Sequence, residues 1–133
     1  MNKTILITAA LLGITSIILG AFGAHGLKEL ISVESQQTFE TGVRYQMYHA
    51  ILLLFVGNTS NVQEKYKKTL FYFIMLGVIL FSGSIYCLAT NTLTGFDFKK
   101  LGFLTPIGGL LLILSWGILF MNFLKIKPKN DNL

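Results

Sequence analysis

Three long apolar runs dominate this chain and constrain its fold more than any motif does. They extend from Thr4 to Ala24, from Thr69 to Thr90 and from Thr105 to Leu124, and none of them contains a charged residue. Each is long enough to cross the hydrocarbon core of a bilayer, which takes about 20 residues of helix. With 53% hydrophobic residues, 13% charged residues and a mean hydropathy of +0.64, the chain belongs to the membrane class rather than the soluble globular class.

A fourth helical run, from Phe39 to Gly57, is more polar at its start. Its uninterrupted apolar portion, Ala50 to Val56, is too short to cross a bilayer alone. The run reaches the required length only if Arg44, Gln46 and His49 are counted inside the helix. We therefore predict an all-α, integral membrane four-helix transmembrane bundle, a single domain over residues 1–133 with spans at about residues 4–24, 39–57, 69–90 and 105–124.

The first run has two interpretations. Ala21-Phe22-Gly23 is similar to the small-residue cleavage site of a signal peptide. However, the apolar part is longer than the usual core of a signal peptide, and Ser16, Gly20 and Ala24 recur at every fourth position. Such spacing is typical of a face for close helix packing, so we favour a retained helix and predict a homo-oligomer contact through these three residues.

Basic residues are unequally shared between the two sides of a four-span protein. One side carries seven and the other four. Because cytoplasmic segments carry the excess of Lys and Arg, both termini are predicted to be cytoplasmic in a multi-pass protein of the cell (plasma) membrane. The first set is Lys3, Lys65, Lys67, Lys68, Lys125, Lys127 and Lys129, and the second is Lys28, Arg44, Lys99 and Lys100.

The formal net charge of +5 does not indicate nucleic-acid binding, because the basic residues stand singly or in small groups at the ends of apolar runs. The partner that we expect is membrane lipid.

Cys87 is the only cysteine, so an intrachain disulfide is excluded, and its place in an apolar run favours a packing role. In the last run, Thr105-Pro106 is a typical helix start with a threonine cap. Trp116 falls in mid-span and is predicted to pack inside the bundle.

Polar side chains converge in the outer half of the predicted bundle. Polar groups at membrane depth normally face the bundle interior or a wet cavity, so we expect one polar pocket or plug there. In this hypothesis Arg44 engages an anionic group, Gln46 and His49 supply hydrogen bonds, and tyrosines wall the site. The candidate ligand-binding residues are His25, Arg44, Tyr45, Gln46, His49, Ser84 and Tyr86.

Each of the main polar groups also has a structural interpretation. Glu40 and Arg44 are four residues apart and can form an interfacial ion pair, with the arginine reaching up to the headgroups. His49 can be satisfied by an interhelical hydrogen bond to Ser82, Ser84 or Tyr86. His25 can serve as a helix cap or a headgroup contact.

We expect no metal and no cofactor. The two histidines differ in predicted depth by roughly 10 Å at about 1.5 Å per residue, and no HExxH motif or Cys/His cluster supplies further ligands. No carboxylate is placed to orient His49 in a catalytic triad. Drug-proton exchangers need an acidic group in mid-membrane, and the apolar runs contain none.

Four stretches of the sequence carry a family resemblance: GAFGAHGL, FETGVRYQMYHAILLL, FSGSIYCLA and LTPIGGLLLILSWGIL. In order and spacing they resemble the YgdD/YwdK-like family of small bacterial membrane proteins, which has mitochondrial relatives. The resemblance covers nearly the whole chain and implies four spans in a membrane, with no established biochemical function. The matching residues are Gly20, Gly23, His25, Gly26, Tyr45, Gln46, His49, Gly83, Ser84, Tyr86, Pro106, Gly108, Gly109 and Trp116.

Three functions are consistent with the sequence. The leading hypothesis is a non-enzymatic membrane protein whose outer-leaflet polar pocket binds a lipid headgroup, a small amphiphile or a partner helix. The second is a small transporter or membrane enzyme that uses His49 for proton handling, which requires a water-filled path to the imidazole. The third is a structural or assembly protein that pairs through Ser16, Gly20 and Ala24.

Overall fold

A computed structural model describes residues 1–128, and all regular elements in that part of the chain are helical. Residues 129–133, which include Lys129 and the end of the predicted solvated tail, lie outside the described residues. A π-helical turn, Ile79–Gly83, joins α3 to α4 in one continuous helix, and two 3-10 turns, Asn91–Leu93 and Phe98–Leu101, precede α5. The α-helices are α1 (Asn2–His25), α2 (Val33–Asn58), α3 (Glu64–Val78), α4 (Ser84–Ala89) and α5 (Leu104–Leu124). The predicted all-α fold with four long helices is confirmed.

Three segments of this fold are long and apolar enough to cross a membrane. They are α1, the continuous helix from Glu64 to Ala89, and the segment from Phe98 to Leu124. α2 is equally long, at 26 residues, but its N-terminal half is polar, so it falls outside this group. α2 begins at Val33, so much of the polar stretch before Phe39 is part of this helix.

The four long helices form two antiparallel pairs, α1 with α2 and the α3–α4 helix with α5. In the first pair, Gly57 lies against Leu6 at one end and Gly23 against Phe39 at the other. In the second pair, the side chain of Asn122 donates to the carbonyl of Asn61 over 2.7 Å, which ties the end of α5 to the loop before α3.

The start of α1 and the end of α5 lie at the same end of the bundle. The Lys67 ammonium near the start of α3 donates to the side-chain oxygen of Asn2 over 3.1 Å, and Asn122 bonds the α2–α3 loop at that level. We call this the lysine end, after Lys3, Lys65, Lys67, Lys68, Lys125 and Lys127. The α1–α2 loop and the α4–α5 connection form the opposite end.

Helix starts in this chain depend on local capping only in part. Ser32 caps α2, since its hydroxyl accepts from the Ser35 amide over 3.1 Å. The predicted cap at Thr105 is wrong: α5 begins one residue earlier, at Leu104, with no side-chain cap. The Thr105 hydroxyl instead lies 2.5 Å from the Ser84 hydroxyl of α4 and so contributes to a contact between helices.

The second helix pair is held by a direct contact between backbones. A Cβ atom added at Gly108 of α5 would lie 2.8 Å from the Leu80 carbonyl carbon in the π-helical turn and 2.9 Å from the Gly77 carbonyl oxygen. No side chain fits in that space. Small residues allow such close approach of helices, which strengthens van der Waals packing between them in lipid.

The buried apolar residues form two clusters, one toward each end. The larger lies toward the lysine end and includes Ile5, Leu53, Val56, Leu70 and Ile74. The smaller, at the opposite end, consists of Leu27, Phe39 and Ala89. Lys67 and Asn122 are buried at the lysine end, whereas the buried polar side chains of Gln46, His49 and Ser82 lie nearer the middle of the bundle, where the candidate site is found.

Candidate functional site

Gln46 of α2 is the centre of a hydrogen-bond network that joins three helices. Its amide nitrogen donates to the Leu12 carbonyl over 3.0 Å and to the Thr15 hydroxyl over 2.7 Å, both on α1. Its amide oxygen accepts from the Tyr86 hydroxyl of α4 over 2.7 Å. Gln46 is buried and its amide is partnered on both atoms, so this part of the predicted polar region is a plug rather than a pocket.

A second bond connects the same helices one turn away. The buried Ser82 hydroxyl, in the π-helical turn, donates to the Gly42 carbonyl over 2.7 Å. A Cβ at Gly42 would lie 2.7 Å from the ring of Tyr86, so a glycine is required for this approach. The Tyr86 ring also packs on Phe39, with ring centroids 4.9 Å apart. We call the set formed by Thr15, Gly42, Gln46, Ser82 and Tyr86 the polar layer.

His49 lies one turn further along α2 and has partners on both ring nitrogens. Nδ1 lies 2.6 Å from the Tyr45 carbonyl and, because a carbonyl only accepts, Nδ1 carries the proton. Nε2 then accepts from the Trp116 indole N–H over 3.3 Å. The sequence correctly predicted a satisfied interhelical bond but named the wrong partners. Ser82, Ser84 and Tyr86 are engaged with Gly42, Thr105 and Gln46 respectively.

Arg44 does not join Gln46 and His49. Its guanidinium is 3.2 Å from the Glu40 carboxylate, and both side chains are about 60% exposed. The predicted Glu40–Arg44 pair is therefore present on the outer face of α2, whereas Gln46 and His49 face the bundle interior. Positions 44 and 46 are about 200° apart around a helix, since each residue turns it by about 100°.

The remaining predicted site residues are spread along the bundle. His25 is exposed in the last turn of α1, at the opposite end from the lysines. Ser84 is buried and bonds within the α4–α5 contact. Tyr45 stacks one turn from His49, as predicted, and also packs against Phe81 with centroids 5.0 Å apart. Ligand binding by these residues stays a prediction.

A cleft of about 270 Å³ opens beside His49, between α2 and α5. We call it the α2–α5 cleft. Its outer rim lies on the apolar surface of the bundle, because Ile113 and Trp116 are 68% and 52% exposed. Tyr45 and His49 form one wall, Phe81 the back, and residues of α5 the other wall. The lining residues are Tyr45, His49, Phe81, Gly109, Leu112, Ile113 and Trp116.

Of the seven residues that line this cleft, only Tyr45 and His49 were candidate ligand-binding residues, and the most informative omissions are Trp116 and Phe81. Trp116 was predicted to pack inside the bundle, but about half of it is exposed and its indole N–H reaches across to His49. Phe81 gave no signal, since its position depends on the π-helical turn. Such single-turn insertions often occur at functional sites, and they rotate the following residues relative to a regular helix.

The predicted helix-pairing face of α1 is used partly within the chain. Ser16 is buried, and a Cβ at Gly20 would lie 3.3 Å from Val43 of α2, whereas Ala24 is exposed. Oligomerisation through these residues stays a prediction. Among residues 1–128 no group of three His, Cys, Asp or Glu side chains is arranged to hold a metal ion.

Comparison with known proteins gives a consistent result. A family model described as a protein of unknown function (DUF423) matches residues 19–109. A UPF0382 membrane protein of Staphylococcus haemolyticus is 38% identical over 123 residues, which cover 92% of this chain and 97% of the relative. The UPF0382 inner membrane protein YgdD of Escherichia coli is 32% identical over 131 residues, covering 96% and 95%. No solved structure matches the chain. The chain therefore belongs to this family of membrane proteins of unknown function, as the resemblance in its sequence implied.

Proposed function

We propose that the chain is a multi-pass protein of the cell membrane in which α2 is a fourth span and both termini are cytoplasmic. The proposal is supported by the packing of α2 along α1 from Gly57, beside Leu6, to Phe39, beside Gly23. α1 is long and apolar enough to cross a membrane. A helix that lies against it from end to end crosses the same thickness.

α1 also supplies a depth scale for the polar groups of α2. Gln46 bonds to Leu12 and Thr15, which lie at the middle of α1. Gln46 is therefore close to the bilayer midplane, and Glu40 is roughly 9 Å nearer the surface at about 1.5 Å per residue. The pairing of Arg44 with Glu40 matches the expected behaviour of an arginine that extends from within the hydrocarbon toward the headgroups.

Within that protein, we propose that the α2–α5 cleft binds the apolar body of a small amphiphile, with no chemistry at the imidazole. The observation that carries this proposal is that His49 already donates from Nδ1 to the Tyr45 carbonyl and accepts at Nε2 from Trp116. A proton carrier needs a nitrogen open to its substrate or to water. Aromatic walls and a lipid-facing rim instead suit an apolar ligand that enters from the bilayer.

Arg44, whose guanidinium pairs with Glu40, stands on α2 next to the wall of the cleft. It directly precedes Tyr45 of the cleft wall. It also lies one turn before Tyr48, which contacts an apolar depression between α2 and α5 that includes Trp116. An anionic or strongly polar end of the amphiphile is therefore expected at the level of Arg44, with its apolar body beside Trp116. In this arrangement Gln46 and Tyr86 hold the helices together and do not touch the ligand.

The cleft can be closed without disturbing the fold. A Cβ at Gly109 meets Phe81 at 3.5 Å, which is ordinary contact, so Gly109→Leu fills the cleft from its floor. The control is Gly13→Leu on α1, where a Cβ has no atom within 4 Å. Both proteins would be extracted from their own membranes in mild detergent and examined by native mass spectrometry for retained lipophilic molecules. The wild type and the control should retain a defined mass that Gly109→Leu loses. Equal retention in all three, or none in any, contradicts the proposed site.

Oligomerisation through Ser16, Gly20 and Ala24 remains a separate proposal. It is tested by crosslinking in native membranes, where a dimer should appear and should be weakened by Ala24→Leu, since Ala24 is exposed on α1. Crosslinking that recovers only monomers overturns it.

A further inference from the structure

Apart from the α2–α5 cleft, α5 borders an apolar groove on the side where this helix packs against α3. Its volume is about 370 Å³ and its surface is almost entirely apolar. We call it the α3–α5 groove. Its floor is open, because a Cβ at Gly117 would have no atom within 4 Å. The groove is lined by Tyr66, Phe73, Leu114, Gly117, Ile118 and Met121.

Two lysines flank the mouth of this groove at the lysine end. The Lys125 ammonium donates to the Tyr66 hydroxyl over 2.9 Å and lies 5.5 Å from the centre of its ring. The Lys65 ammonium lies 5.0 Å from the same ring centre. In the described part of the chain neither lysine pairs with a carboxylate, since the nearby Glu64 pairs with Lys67. The mouth of the groove thus carries two positive charges for which residues 1–128 supply no carboxylate partner.

The groove and the lysines at its mouth together span about one leaflet. On α5 the groove extends from Leu114 to Met121, and Lys125 lies one turn beyond. The rise along α5 from Leu114 to Lys125 is roughly 16 Å at about 1.5 Å per residue. The hydrocarbon core is about 30 Å thick, so this is close to the depth of a single acyl layer.

We propose that the α3–α5 groove is a binding site for an anionic membrane phospholipid, with one acyl chain along Met121, Ile118 and Gly117 and the phosphate between Lys65 and Lys125. Charge complementarity selects the occupant, because the ammonium groups of Lys65 and Lys125, neither of which pairs with a carboxylate among residues 1–128, lie together beside Tyr66 at the end of an apolar groove. The Tyr66 hydroxyl accepts from Lys125 and is placed to donate to a phosphate oxygen. The site does not depend on the α2–α5 cleft.

The test uses the purified full chain in detergent, titrated with phosphatidylglycerol or phosphatidylcholine and followed by native mass spectrometry. Wild-type protein should bind phosphatidylglycerol more tightly. Lys125→Ala should weaken that binding about fivefold, the usual contribution of one basic residue near an anionic surface. Lys3→Ala, which removes the same charge at the same end but on α1, should leave it unchanged.

A second variant tests the chain-binding part of the site. Gly117→Leu should reduce phosphatidylglycerol binding by filling open space, while Gly13→Leu, on α1, should not. Thermal unfolding checks that both variants remain folded. Glycerol phosphate, which has the headgroup charge but no chains, should not compete. Equal affinity for the two lipids, equal losses in Lys3→Ala and Lys125→Ala, or full competition by glycerol phosphate each overturns the proposal.

Discussion

The two helix pairs of this protein are held together by different forces. α1 and α2 meet through a polar layer, in which Gln46 bonds to Leu12 and Thr15. The α3–α4 helix and α5 meet through a backbone contact at Gly77 and Gly108. Lipid tails are as apolar as leucine, so association of apolar helices in a bilayer depends on close packing or on hydrogen bonds. Both occur in each pair, but the hydrogen bonds of Gln46 distinguish the first pair, and the backbone contact at Gly108, beside the Ser84–Thr105 bond, distinguishes the second.

The comparison also separates positions that tolerate change from positions that do not. Close packing fails as soon as one methyl group is added, because the backbones have no room to move apart locally. A hydrogen bond between helices contributes only modestly to the free energy of unfolding in a bilayer, since the polar groups of separated helices find other hydrogen-bond partners. The glycine contact should therefore be the most sensitive point of the molecule, and the polar layer the second.

The largest effect is expected at the glycine contact. Gly108→Ala places a methyl group 2.8 Å from the Leu80 carbonyl carbon, so α5 must shift away from the π-helical turn. We expect the free energy of unfolding to fall by about 3 kcal/mol, the upper part of the range for overpacked sites. Gly117→Ala on the same helix meets open space and should be neutral or stabilise by less than about 1 kcal/mol. Unfolding by denaturing detergent in mixed micelles measures both. Similar losses in the two variants would show that the close contact is absent.

A smaller loss is expected in the polar layer. Gln46→Leu removes the only group that joins Thr15 to Tyr86 and leaves the tyrosine hydroxyl unpaired. We expect a loss of about 1–2 kcal/mol. Tyr86→Phe in the same background should cost less than it does alone, with a coupling of about 0.5–1 kcal/mol. A double-mutant cycle in the same unfolding assay measures this coupling. Strictly additive losses would contradict the bond.

The contact between the two pairs at His49 is weaker still. Trp116→Phe removes an indole N–H that bonds to His49 over 3.3 Å and should cost about 0.5 kcal/mol. In a His49→Phe background the same substitution should cost nothing further. Trp116 is the only tryptophan, so its fluorescence reports this contact directly. Lipids brominated on their acyl chains should quench it, whereas aqueous iodide should not; quenching by iodide would place the cleft in water.

The smallest effect is expected on the outer face of α2. Arg44→Ala removes an ion pair whose partners are both about 60% exposed, so the loss should be below about 0.5 kcal/mol. Glu40→Ala should give the same small change. A loss comparable to that of Gln46→Leu would mean that Arg44 is part of the polar layer.

Much of this arrangement follows from the sequence. The helices are predicted because the backbone N–H and C=O groups of an uncharged run of bilayer length must be hydrogen-bonded inside the membrane, and a helix does this within the run itself. The polar character of α2 and the pairing of Glu40 with Arg44 follow from spacing within one helix. The helices follow from the number of residues needed to cross a bilayer, and the ion pair follows from residues that are close in sequence.

Contacts between helices were predicted less well. His49 was assigned to Ser82, Ser84 or Tyr86, but its partner is Trp116, because the rotation of each helix about its axis sets which side chains meet. The π-helical turn changes that rotation after Ile79 and leaves no mark in the hydrophobic pattern. For the same reason Thr105, predicted as a cap, lies against Ser84 instead.

Whether α2 crosses the bilayer can be measured by cysteine accessibility in intact cells. In a Cys87→Ala background, Glu29→Cys marks the exposed α1–α2 loop and Ser60→Cys the exposed α2–α3 loop. With α2 as a span, a membrane-impermeant maleimide labels Glu29→Cys from outside and reaches Ser60→Cys only after the membrane is opened. Labelling of both cysteines from one side would contradict a spanning α2 and, with it, the placement of Gln46 near the midplane.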